Sequence, residues 1–122
     1  MPTILLVEDD RFLSDTIATF LEYMKHTVER AFEGPEALEK MQHGMYDLII
    51  LDWQLPGMNG IDICQKYRDG GGTTPVLMLT GRTDKSEVEA ATKAGADGYL
   101  NKPFKLNILD QHVNKFLTQS HR

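Results

Sequence analysis

Hydrophobic residues along this chain alternate between short unbroken runs and stretches with helical spacing. Residues 3–7, 47–51 and 76–79 are continuous apolar runs of strand length. Such runs belong to strands buried on both faces of a parallel sheet. Thr27-Val28-Glu29-Arg30-Ala31 alternates instead, which predicts an edge strand. Residues 97–100 form a weaker fifth strand, supported mainly by position.

Between the runs lie amphipathic stretches. Leu13, Ile17, Phe20, Leu21 and Met24 share one stripe, so a helix should bury them together. A second helix opens at Gly34-Pro35, with proline suited to the first helical turn, and stops near Gly44. A third begins around Gly60 and ends at Gly70-Gly71-Gly72, which reads as a flexible connection rather than a phosphate loop. The last runs from about Leu106 to Leu117, with Leu106, Leu109, Val113, Phe116 and Leu117 inward, and the residues after Thr118 frayed. The stretch 84–94 differs: Asp84 and Glu87 resemble a capping pair, but its inward face offers only Val88, Ala91 and Ala94. At ~0.8 kcal/mol per buried carbon, this helix should be the most weakly anchored and the most mobile.

Five strand–helix units in this length predict a doubly wound α/β fold. Right-handed crossovers with helices on both faces favour the flavodoxin-like order 2-1-3-4-5, whose ligand crevice lies at the carboxyl ends of the strands. At 122 residues the chain reads as one domain, 1–122, with 41% hydrophobic and 25% charged residues, enough for a soluble core. A net charge of −5 argues against a large nucleic-acid surface. No apolar stretch approaches a membrane span and no signal peptide is visible. The lone Cys64, among Ile61, Ile63 and Tyr67, reads as helix packing. These features fit a reducing cytoplasm.

The strand ends carry the chemistry. The first run enters Glu8-Asp9-Asp10, the second ends in Asp52, the third enters Thr80-Gly81, and the fifth leads to Asn101-Lys102-Pro103. Loop acids are common, and three separately solvated carboxylates are the plain reading of Glu8, Asp9 and Asp52. Neighbouring first and third strands would bring them together, however. Two unit charges ~4 Å apart then cost about 4 kcal/mol at an effective dielectric of about 20. A hard divalent cation removes that penalty, and magnesium suits a few carboxylates with water and phosphate oxygens completing its shell. A lone lysine is usually a surface charge, but Lys102 beside an anionic site becomes a counter-charge for phosphate, held by a Lys-Pro bond that is cis or trans. Thr80 adds a hydroxyl, and Gly81 leaves room for a ligand to approach the backbone. His26, His43, His112 and His121 show no metal-like spacing and read as surface or packing residues.

Taken in order, Val7-Glu8-Asp9-Asp10, Leu51-Asp52-Trp53-Gln54-Leu55-Pro56-Gly57-Met58-Asn59-Gly60, Leu79-Thr80-Gly81 and the segment from Ala94 through Lys102-Pro103-Phe104 resemble the receiver domain of two-component response regulators along essentially the whole chain. The resemblance implies that Asp52 accepts a phosphoryl group from a phosphohistidine of a histidine kinase or histidine phosphotransfer protein. It implies that Asp9, Asp52 and the Gln54 backbone carbonyl bind Mg2+ (or Mn2+), with Glu8 acting through water. Lys102 and Thr80 would hold the phosphoryl oxygens, and Tyr99 would turn inward as Thr80 moves. Gln54 and Arg82, two residues beyond Asp52 and Thr80, would tune phosphate lifetime.

The resemblance also implies a homodimer through the fourth helix, fifth strand and fifth helix. Gly98 stands where many relatives with winged-helix DNA-binding domains carry an aspartate used in that face. The protein would catalyse only its own phosphorylation and dephosphorylation. A small aspartyl-phosphate hydrolase is the rival, but such enzymes typically need a second aspartate where this chain has Gln54.

Overall fold

A computed structural model of the protein describes residues 2–81 and 85–119. Along the chain run β1 (Thr3–Val7), α1 (Arg11–Tyr23), β2 (Thr27–Ala31), α2 (Gly34–His43), β3 (Leu48–Asp52), α3 (Gly60–Asp69), β4 (Val76–Thr80), α4 (Lys85–Lys93), β5 (Gly98–Asn101) and α5 (Leu106–Gln119). The five strands form one parallel sheet in the order β2-β1-β3-β4-β5, the flavodoxin-like arrangement.

Successive strand residues face opposite sides, so an unbroken apolar run feeds two cores at once. Ile4, Leu6, Ile50, Leu77 and Leu79 face α1 and α5, meeting Ile17, Leu21, Leu109, Val113 and Phe116. Leu5, Val7, Ile49, Leu51, Val76 and Met78 face the other way, onto Ala37 and Met41 of α2 and Ile63, Cys64 and Tyr67 of α3. Cys64 is fully buried, and burial pushes its thiol pKa up, as packing requires and reactivity does not. β2 pairs only with β1, which explains its alternating pattern.

Several boundaries and faces shift. β3 starts at Leu48 because the Asp47 carboxylate accepts a hydrogen bond from the Thr3 amide at 2.8 Å. β5 starts at Gly98 because the Asp97 carboxylate accepts from the Val76 amide at 2.8 Å and from Arg68 at 2.9 Å. In α1 the buried residues are Ser14, Ile17, Ala18 and Leu21; Leu13 and Phe20 pack at the margin, and Met24 is the partly exposed C-cap. Leu106 likewise lies at the margin of its core, and α5 continues to Gln119.

The glycine triplet differs from expectation in kind. Gly70, Gly71 and Gly72 each donate their amide to an α3 carbonyl, and Arg68 donates to the Gly72 carbonyl at 3.1 Å. A Cβ at Gly72 would lie 2.3 Å from the Tyr67 ring, so this segment is a packed helix terminus.

Capping follows the sequence chemistry. The Asp10 side chain accepts from the Leu13 amide at 3.1 Å and starts α1, and Asn59 accepts from the Asp62 amide at 2.9 Å and starts α3. Asp84 lies outside the described residues, so the anticipated capping pair of α4 has only Glu87 in view, in the first turn. Ala91 is the one fully buried residue of α4 and Val88 is half-buried. That helix therefore has little apolar anchorage.

Candidate metal and phosphoryl site

Parallel register brings the carboxyl ends of the inner strands level. Val7 pairs with Leu51, Asp52 with Leu79, and Thr80 with Asn101. Glu8, Asp52, Thr80 and Lys102 therefore converge on one rim, in a cleft of about 680 Å³ that also takes in Asp9, Asp10, Trp53, Gln54, Gly81 and Glu87.

The backbone beneath them is pinned. Glu8 N donates to Ala31 O at 3.2 Å, Trp53 N to Leu79 O at 2.8 Å and Lys102 N to Thr80 O at 2.7 Å. Gly60 allows the start of α3 to lie directly on the end of β3: a Cβ there would stand 2.5 Å from the Asp52 carbonyl oxygen. The Lys102–Pro103 bond is cis.

Burial and charge conflict at this rim. Glu8 is 0% exposed, Thr80 4% and Asp52 5%, whereas Asp9 is exposed. The ammonium of Lys102 stands 2.8 Å from Glu8 Oε1 and 3.2 Å from Asp52 Oδ1, bridging two buried carboxylates. Glu8 also accepts from the Asp10 amide at 3.1 Å through Oε2. One ammonium does not neutralise two buried acids. Desolvation, then the charge and hydrogen bonding of Glu8, push the Asp52 pKa up to about 7 despite the opposing pull of Lys102. Burial alone would lower the Lys102 pKa, but its hydrogen bond to Glu8 and the charges of Asp52 and Glu8 raise it on balance.

A cation fits this arrangement. Carboxylate oxygens of Glu8, Asp9 and Asp52 lie within 4.8 Å of one another, and the set is all oxygen, as a hard ion such as Mg2+ prefers. Asp9 supplies the exposed acid through which an ion could enter.

Of the residues singled out from sequence, Glu8, Asp9, Asp52, Gln54, Thr80 and Lys102 come together here. Tyr99 does not: it lies on β5 opposite Met78, 42% exposed and outside the cleft. Arg82 and His121 fall outside the described residues. His26, His43 and His112 stand away from the cleft; His43 and His112 each place Nδ1 2.9 Å from a carbonyl one helical turn back. Sequence reasoning gave no cleft role to Trp53 or Glu87. Trp53 follows Asp52 directly and could have been found by adjacency. Glu87 enters from α4, and no local pattern signals that a helix overhangs the rim.

The sheet order and an acid–lysine cleft at its carboxyl edge define a doubly wound α/β protein whose rim gathers acids, a hydroxyl and one ammonium. The chain belongs to the response regulator receiver domain family, whose sequence pattern matches residues 4–114. It is 40% identical over 117 residues to the regulatory protein VanRB of Enterococcus faecalis, covering 96% of this chain and 53% of that protein. It is 41% identical over 117 residues to the response regulator MprA of Mycobacterium ulcerans, covering 96% and 50%. The chain thus spans about half the length of these curated relatives. The solved receiver domain of the Francisella response regulator 1452 superposes with a TM-score of 0.94 at 31% identity, covering 98% of this chain and 99% of that one.

Proposed function

We propose that residues 1–122 form one receiver domain that is switched by phosphorylation of Asp52. The observation that carries this reading is a nearly buried aspartate whose carboxylate touches the Lys102 ammonium and lies within 4.8 Å of the oxygens of Glu8 and Asp9. In the transfer, Asp52 Oδ attacks the phosphorus of a phosphohistidine. The O–P bond forms as the P–N bond breaks, and the donor imidazole leaves with the electron pair.

Asp52 must be ionised to attack, and burial beside Glu8, which raises its pKa to about 7, opposes that. Bound Mg2+ would supply the charge that ionises Asp52 and shields the incoming phosphoryl oxygens. Asp9, Asp52 and the Gln54 carbonyl would hold it. Glu8, tied to Lys102 and the Asp10 amide, is suited to acting through water. Lys102 would exchange carboxylates for phosphoryl oxygens, with Thr80 holding another. Movement of Thr80 would draw the exposed Tyr99 inward and reshape the surface around α4. Gln54 and Arg82 are the rate-tuning positions.

The donor is a histidine kinase or histidine phosphotransfer protein, and the protein acts on no separate substrate. The small phosphatase reading is weaker because Gln54 supplies no acid/base at the rim. A cytoplasmic location fits the donor; no helix among the described residues is long and apolar enough to cross a membrane. We assign no nucleic-acid contact to this segment, given its net charge of −5. A homodimer through α4, β5 and α5 is the assembly the family suggests, with one charge fewer on that face at Gly98.

Beryllium fluoride with Mg2+ tests the switch through Trp53 fluorescence. The parent should respond, and Asp52→Asn should not. A silent parent, or an equal response from Asp52→Asn, contradicts the reading.

A further inference from the structure

Arg68, in the last turn of α3, uses every N–H of its guanidinium at the edge of the sheet opposite the rim. Its Nε donates to the Gly95 carbonyl at 3.0 Å. Nη1 donates to the carbonyls of Gly72 at 3.1 Å and Thr74 at 2.8 Å. Nη2 donates to the Gly95 carbonyl and to the Asp97 carboxylate, both at 2.9 Å. The same carboxylate accepts from the amide of Val76, the first residue of β4. One side chain thus ties together the exit of α3, the entry to β4 and the exit of α4.

The end of α4 is shaped to receive it. Gly95 has a φ of +102°, and its amide donates to the Thr92 carbonyl at 3.1 Å while the Ala96 amide donates to the Ala91 carbonyl at 3.0 Å. These two bonds close a helix through a left-handed glycine. A Cβ on Gly95 would lie 2.5 Å from Arg68 Cγ, so glycine serves both the turn and the approach of the arginine.

Burial along α4 is lopsided in the same sense. Ala91 and Ala94 are buried near the clasped end. Toward the other end Lys85, Ser86 and Glu89 are exposed, and Glu87 and Val88 are half-buried. That other end is the one that reaches the cleft, through Glu87.

We propose that Arg68 is a positioning residue that fixes the C-terminal end of α4, so that the helix pivots there and its rim-side turn takes up the displacement when the cleft fills. A nine-residue helix is about 13 Å long, and a tilt of about 10° at the clasp moves its first turn by about 2 Å. The planar fork is essential, because a lysine ammonium is a single point with three donors and cannot reach all four oxygens. The pivot belongs to the resting chain; only its use by a phosphoryl group rests on the switch proposed above.

Spin-label distances test the pivot. Lys66, Lys85 and Lys93 are exposed, so Lys66→Cys on α3 can be paired with Lys85→Cys or with Lys93→Cys on α4; Cys64 is buried and takes up little label. In the resting protein the distance distribution to position 85 should be broader than that to position 93. Arg68→Lys, checked for folding by circular dichroism, should broaden the distribution to 93 and leave the distance from 66 to a label at Lys115 on α5 unchanged; general loosening would broaden both. Beryllium fluoride with Mg2+ should then shift the distance to 85 by about 2 Å and the distance to 93 by much less. Equal widths at 85 and 93 in the resting chain overturn the proposal, as does a distribution to 93 that Arg68→Lys leaves unaltered. Equal shifts at both ends, or no shift while Trp53 fluorescence responds, also overturn it. Silence of both Trp53 and the labels counts against the phosphorylation switch instead, and the resting widths still decide the pivot.

Discussion

The Asp52 carboxylate holds the site's chemistry and its instability together. Its pKa of about 7 in the folded protein stands above the ordinary 3.8, so the folded state binds a proton that the unfolded state has released. This contribution is present below about pH 4 and is lost as pH rises through 7. Without metal, Asp52→Asn should therefore be more stable than the parent at pH 8, by about 1–3 kcal/mol, with the gain shrinking toward pH 4. Adding Mg2+ should stabilise the parent and leave Asp52→Asn much less affected, by mass action on the folded state. Urea melts across this range, with EDTA or Mg2+, check both signs; a gain that grows toward acid pH contradicts them. Glu8, Asp52, Thr80 and Lys102 were legible because each terminates or follows an apolar run. The ion bridge of Lys102 to two acids at once was not, since it depends on how far neighbouring strands slide past one another.

At the scale of the element, most strands and helices were legible from periodicity and from Gly and Pro breakers, β5 mainly from its position, and departures came where side chains cap or pack. Asp47 and Asp97 bond to neighbouring amides instead of continuing their strands. The glycine triplet read as loose from composition alone, yet the Tyr67 ring and Arg68 hold it in place. Gly98 illustrates packing that no local pattern reveals. A Cβ at that position would stand 2.7 Å from Phe116 Cζ, inside the core shared with α5. Gly98→Ala should therefore destabilise the protein by about 1–3 kcal/mol, as overpacking does. Phe116→Leu should cost less in that background than in the parent, a coupling that a double-mutant cycle in urea would read. Additive effects would show that β5 and α5 part to admit the methyl group. α4 stands apart, with Ala91 its only fully buried residue. Its amides should exchange with solvent faster than those of α1 and α5, an ordering that native-state hydrogen exchange measures.

For the whole molecule, a sheet buried on both faces presents a level rim, and that rim gathers acids, a hydroxyl and an ammonium from separate strands. Strand order was predictable because buried apolar runs permit few arrangements. What overhangs the rim was not, and Glu87 of α4 is the example. The same geometry divides the rim: β1 and β3 bring the carboxylates, β4 and β5 the hydroxyl and the ammonium. Phosphorylation at Asp52 is the claim on which the account stands. The direct measurement is the intact mass of the chain after incubation with acetyl phosphate and Mg2+, followed by peptide mapping under conditions that preserve acyl phosphates. The account predicts one added phosphoryl group on Asp52, absent with EDTA and absent in Asp52→Asn. No added mass on the parent, or the same addition in Asp52→Asn, would contradict it.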